Sequence, residues 1–79
     1  MNIYKVSQTQ NKGYDTYDSF ICYANTPEEA SKMLPNDYMD WDDNYSSWCS
    51  YPDNATITLI GSNDTVTEPS VILSSFNAG

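Results

Sequence analysis

The chain has no arginine and no histidine, and only three lysines, Lys5, Lys12 and Lys32, stand against eleven Asp and Glu. The formal charge at pH 7 is −8. So few cations cannot displace the counterions of a phosphate backbone or hold an anionic bilayer, which sets aside direct nucleic-acid and lipid binding. Without imidazole there is neither a Ser-His nor a Cys-His pair, and a cysteine nucleophile would need a cationic neighbour that this composition hardly supplies. The chain is therefore expected to be no enzyme. Carboxylate pairs such as Asp15 with Asp18 occur in every acidic protein and single out no chemistry.

Cysteine is also scarce. Cys22 and Cys49 allow at most one disulfide, and the absence of a cationic leader or a long apolar core in Met1 to Val6 points to the cytosol, where thiols stay free. Cys22 reads as a small core residue. Two thiols without imidazole do not make a zinc site. No apolar run approaches the roughly 18 residues that span a bilayer.

What is present argues for folding. Hydrophobic residues make up 39% of the 79 and aromatics 14%, whereas disordered acidic tails are poor in both. The length fits one domain over 1–79, burying about 60% of its unfolded surface, so a deep substrate pocket would compete with the core for side chains.

Ile3 to Ser7 is rich in β-formers, and the polar run Gln8 to Gly13 is a hairpin loop with a glycine able to take positive φ. Thr16 to Ala24 alternates, with Phe20, Cys22 and Ala24 on one face and Ser19, Ile21 and Tyr23 on the other. These two strands are expected to pair antiparallel. Next comes a helix start, with Thr26 as N-cap, Pro27 at the first helical position and Glu29 three residues after the cap. Ala30, Met33 and Leu34 share a side, and Pro35 ends a helix of about two turns. Ala55 to Ile60 reads as a third strand with Ala55, Ile57 and Leu59 inward, and Val71 to Phe76 as a fourth that forms a second hairpin with it. The order β-β-α-β-β predicts an α+β two-layer sandwich: a mostly antiparallel four-stranded sheet with one short helix on one face.

Residues 36–54 interrupt this pattern with an acidic and aromatic loop, in which a helical turn around Tyr38 to Tyr45 is one reading. Asp37, Asp40, Asp42, Asp43 and Asp53 alternate there with Tyr38, Trp41, Tyr45, Trp48 and Tyr51. Negative charge beside large amphipathic anchors is the make-up of a surface for a basic protein partner. The competing reading folds the aromatics inward and leaves the carboxylates to solvent. Asp40, Asp42 and Asn44 match the opening of a calcium loop, but Tyr45 and Tyr51 stand where the required Gly and Glu would be, so no metal or other cofactor is expected. Three Asn-X-Ser/Thr patterns, at Asn44, Asn54 and Asn63, are by-products of an Asn-, Ser- and Thr-rich composition.

Two segments, Tyr4 to Gln8 followed by Gly13-Tyr14-Asp15-Thr16-Tyr17-Asp18-Ser19, and the terminal Val71 to Gly79, resemble a family of small uncharacterised bacteriophage and prophage proteins. The likeness extends through Pro27-Glu28-Glu29-Ala30 and Leu59-Ile60-Gly61 but not through the acidic middle. It implies a phage origin and a place in the cytoplasm of an infected bacterium, and it transfers no activity and no functional residue.

By analogy with other small acidic phage proteins, the expected function is to bind and inhibit a host nucleic-acid-handling defence protein, anti-CRISPR-like and a possible DNA mimic. Its contacts would be Asp37, Tyr38, Asp40, Trp41, Asp42, Asp43, Tyr45 and Trp48. The alternatives are a phage structural or assembly accessory that self-associates, or an oligomeric binder of a small defence-signalling molecule.

Overall fold

The computed structural model describes residues 1–36, 39–42 and 47–77. Strands β1 (Asn2–Ser7), β2 (Thr16–Ala24), β3 (Thr56–Ser62) and β4 (Ser70–Asn77) form one antiparallel sheet in the order β3-β1-β2-β4, with helix α1 (Pro27–Ser31) and a 3-10 turn at Pro52–Asn54. The class is α+β, as expected. The expected pairing of β3 with β4 is not what forms: the first hairpin is the centre of the sheet, and β3 and β4 are its opposite edges. Residues 63–69 cross from one edge to the other. That crossing is pinned at the chain start, where the Met1 ammonium donates to Asn63 O (2.8 Å) and Asn63 N donates back to Met1 O (2.8 Å).

Alternation decides which side chains are buried. On one face the register aligns Leu59, Tyr4, Cys22 and Val71 in one row and Ile57, Val6, Phe20 and Ser74 in the next. Tyr4, Val6, Phe20, Cys22 and Ala24 are buried there together with Ala30 of α1 and with Trp48 and Cys49 from the segment after it. The Trp48 and Phe20 rings meet with centroids 5.3 Å apart. Leu59, expected inward, is 61% exposed although it lies opposite Tyr4, because it sits on an edge strand and α1 is too short to cover it.

Among the described residues no layer covers the opposite face. Its rows are Gly61, Ile3, Tyr23 and Ser70; then Thr58, Lys5, Ile21 and Leu73; then Thr56, Ser7, Ser19 and Ser75. Lys5 is the charged residue of these rows, and Asp18, unpaired between Tyr17 and Ser19, adds a carboxylate to the same face, where Ser75 Oγ donates to it (3.2 Å).

Helix α1 begins as its sequence dictates. Glu29 N donates to Thr26 Oγ1 (3.1 Å), and Glu29 Oε1 accepts from Asn25 N (2.8 Å), one residue before the N-cap amide that a capping box usually serves. The helix is shorter than its apolar spacing suggests, ending at Ser31. Leu34 precedes Pro35 and is steered away from helical angles, so the last turn tightens into Lys32 N to Glu29 O and Met33 N to Ala30 O bonds. Met33 and Leu34 still pack against the core.

In the first hairpin the left-handed residue is Asp15 (φ 58°) and not Gly13, whose φ is not positive. Aspartate tolerates this region better than most residues. Asp15 N donates to Asn77 O (2.6 Å), so the strained residue ties the loop to the end of β4.

Candidate functional site

The layer over the buried face consists of α1 and the described parts of the segment joining it to β3. The Trp41 indole donates from Nε1 to Lys32 O (2.8 Å), closing the C-terminal end of α1 with a side chain from the next segment. Trp41 is half-buried and packs on the core. Beside it Asp40 Oδ1 accepts from Asp42 N (3.0 Å), an Asx turn that holds both carboxylates at the surface. One carboxylate oxygen of the would-be calcium-loop opening is thus engaged by backbone. Among the described residues no three potential metal ligands come together.

Glu28 of α1 and Asp53 of the 3-10 turn lie on one shallow groove of about 260 Å³, and both are exposed. Tyr51, which begins that turn, is 69% exposed. The outer side of the covering layer therefore bears Glu28, Asp40, Asp42 and Asp53, with Trp41 and Tyr51 as its aromatic surface.

Of the residues expected to meet a partner, Asp40, Trp41 and Asp42 are brought together at the surface as described. Trp48 is not: it is 0% exposed, the largest fully buried side chain, and belongs to the core. Its Nε1 has no hydrogen-bond partner among the described residues. Asp37, Tyr38, Asp43 and Tyr45 lie outside the described residues, as does half of the helical turn expected over 38–45; the described half, 39–42, is not helical and bends in the Asx turn instead. Glu28 was not among the expected contacts. Its place in the first turn of α1 suits the helix dipole and by itself signals no contact.

Sequence reasoning also passed over two glutamines. Gln8 is buried and donates from Nε2 to Asn11 O (2.6 Å) and Tyr17 O (2.8 Å), while its Oε1 accepts from Asn11 N (2.8 Å). Gln10 reaches across to the covering layer, donating to Ser50 Oγ (2.7 Å) and accepting from Ser50 N (3.0 Å) and Asn54 Nδ2 (2.7 Å). Gln8 thus braces the hairpin from within, and Gln10 fastens it to the acidic layer.

Both thiols are free and buried. Burial, and then the field of Glu29, push the Cys22 thiol up to about 11. Burial likewise raises Cys49, outweighing the backbone hydrogen bonds that favour its thiolate. Neither has the lowered pKa of a nucleophile.

A second concavity, about 510 Å³, opens at the hairpin end of the uncovered face, with Lys5, Lys12, Gln8 and Asp18 among its lining residues. Asp18 sits in a β2 bulge, its carboxylate accepting from Ser75 Oγ (3.2 Å) and Asn77 Nδ2 (2.8 Å).

No protein-family model, curated protein or solved structure matches the chain. No helix among the described residues is long and apolar enough to cross a membrane.

Proposed function

We propose that the chain is a non-enzymatic binding protein whose acidic outer layer docks on the basic surface of a host protein that handles nucleic acid, and so inhibits it. The observation that carries this reading is the sorting of charge. Glu28, Asp40, Asp42 and Asp53 are exposed on the covering layer beside Trp41 and Tyr51, whereas on the opposite face of the sheet the described residues place the Asp18 carboxylate in a concavity shared with Lys5 and Lys12. A one-sided field on a small domain speeds encounter with a basic groove, and aromatic side chains anchor it there. Asp37, Tyr38, Asp43 and Tyr45 belong to the same segment and are included in the proposed contact. The buried, proton-holding thiols and the absence of imidazole support a role without catalysis.

The resemblance to phage proteins supplies the setting: the cytoplasm of an infected bacterium, with a defence component such as a CRISPR effector as the target. The test is copurification from that host at low and high salt, followed by binding kinetics with Asp37, Asp40, Asp42 and Asp43 all changed to Asn. Removing four of the charges that make up −8 should slow association at least about tenfold while the fold is kept. A folded variant that binds and inhibits unchanged refutes the proposal.

A further inference from the structure

We propose that the concavity at the hairpin end of the uncovered face binds a small phosphorylated sugar, with the phosphate held by Lys5 and Lys12 and the hydroxyls by Asp18, Ser7 and Ser19. Its volume of about 510 Å³ falls in the range of small-molecule sites, roughly 300–1,000 Å³. Such sites are usually lined by apolar side chains, and this one is not: lysine, serine, threonine, asparagine, glutamine and aspartate make up its described lining. A ligand that fits it must be polar over most of its surface.

Charge decides one end of that ligand. Two of the three lysines in a chain of charge −8 line this hollow, Lys5 from β1 and Lys12 from the hairpin loop, and neither is paired with a carboxylate among the described residues. The exposed acids of the covering layer lie on the other side of the sheet, where physiological salt screens them beyond about 8 Å. Two ammoniums on flexible stems act on a phosphate as point charges and need no fixed fork geometry to hold it.

Asp18 decides the other end. Its carboxylate repels a bare anion, but each oxygen keeps a lone pair beyond the bond it accepts from Ser75 Oγ or Asn77 Nδ2, and such a carboxylate accepts from a ligand hydroxyl. Ser7 and Ser19 face each other in the β1–β2 register, half-buried, and their hydroxyls have no hydrogen-bond partner among the described residues. The floor is already set: Gln8 N donates to Asp18 O (3.1 Å), and the Gln8 side chain holds Asn11 and Tyr17, so little ordering is left for binding. A phosphate without hydroxyls leaves Asp18 and the serines unused, and an uncharged sugar leaves the lysines unused. The site lies apart from the acidic covering layer, so the inference stands or falls independently of the proposed inhibition.

Amide chemical shifts of the whole chain, titrated with ribose 5-phosphate, ribose and inorganic phosphate to about 20 mM, read the result, since a small ligand in an open site is expected at a Kd on the order of 1 mM. Ribose 5-phosphate should shift residues 5–12, 18, 19 and 77 saturably and bind at least about fivefold more tightly than ribose or inorganic phosphate. Lys5→Met together with Lys12→Met, both at exposed positions that leave the fold intact, should weaken it at least about tenfold, and Lys32→Met should not. Asp18→Asn should tighten inorganic phosphate and narrow the advantage of the sugar phosphate over it. Adenosine monophosphate separates two sources of this chemistry: tighter binding than ribose 5-phosphate, with shifts at Tyr14 in the adjoining hollow, assigns a nucleotide, and equal or weaker binding a free sugar phosphate. Absence of a saturable shift with ribose 5-phosphate, shifts centred elsewhere, or binding that survives the double lysine change overturns the proposal. So does inorganic phosphate that binds as tightly as the sugar phosphate.

Discussion

Replacing Trp48 with alanine tests which of the two tryptophans holds the fold. The indole is 0% exposed and stacks on Phe20 at 5.3 Å with the planes tilted by 47°. Removing a large buried aromatic side chain costs about 3–5 kcal/mol, of which the ring pair itself accounts for about 0.5–1.5. A domain of 79 residues has about 4–12 kcal/mol of stability in all, so Trp48→Ala should leave it barely folded. Urea unfolding followed by far-UV circular dichroism would show the midpoint falling by roughly 3 M at a slope of about 1 kcal/mol/M. Trp48→Phe keeps the ring contact and removes an N–H that has no partner among the described residues, so its cost should be nearer about 1–2 kcal/mol. A midpoint change of less than about 1 M for the alanine variant would refute the core assignment and return Trp48 to the surface.

Other consequences can be checked in the same unfolding assay. Thr26→Ala removes the acceptor for Glu29 N and should cost about 1 kcal/mol, while Thr26→Ser should cost much less. Gln8→Ala leaves Asn11 N, Asn11 O and Tyr17 O without that side-chain partner in a buried corner, and should cost about 2–3 kcal/mol with the loss seen first as faster amide exchange in residues 9–15. Cys22 has a thiol raised from 9.0 to about 11, so its contribution is full below pH 9 and is lost as pH rises from 9 to 11. The stability difference between wild type and Cys22→Ala should therefore shrink across that window. A thiol reagent should modify neither Cys22 nor Cys49 at neutral pH until urea unfolds the chain.

Local rules were legible in the sequence where a few adjacent residues decide the outcome. Thr26-Pro27 with Glu29 fixes the helix start, because cap, ring and carboxylate act within one turn. The alternation Phe20, Cys22, Ala24 assigns the faces of β2 whatever the neighbours are. The helix end was harder to read, since the apolar spacing through Leu34 competes with the restriction that Pro35 imposes on the residue before it, and the restriction wins. The positions of β3 and β4 were not legible. Their short connection suits a hairpin, and nothing local states that it crosses the end of the sheet to be tied at Met1. Trp41 and Trp48 both stand among Asp, Asn and Ser without a period, so nothing in that stretch said that one caps a helix and the other fills the core. Gln8 acts on the backbone of its own hairpin and Gln10 on Ser50 and Asn54 far along the chain, and neither set of bonds leaves a pattern in composition or spacing.

The topology also accounts for where the acids lie. β1, β3 and β4 carry none, and Asp18 is the one acid of β2: in the bulge between Tyr17 and Ser19 its carboxylate meets Ser75 Oγ and Asn77 Nδ2 on the uncovered face. The remaining described carboxylates fall in the hairpin turn, the covering layer and the β3–β4 connection. Salt screens the attraction of the acidic layer for a basic partner, so partner binding should weaken as salt rises, chiefly through slower association. An affinity that does not change with salt would mean that charge is not what carries the contact.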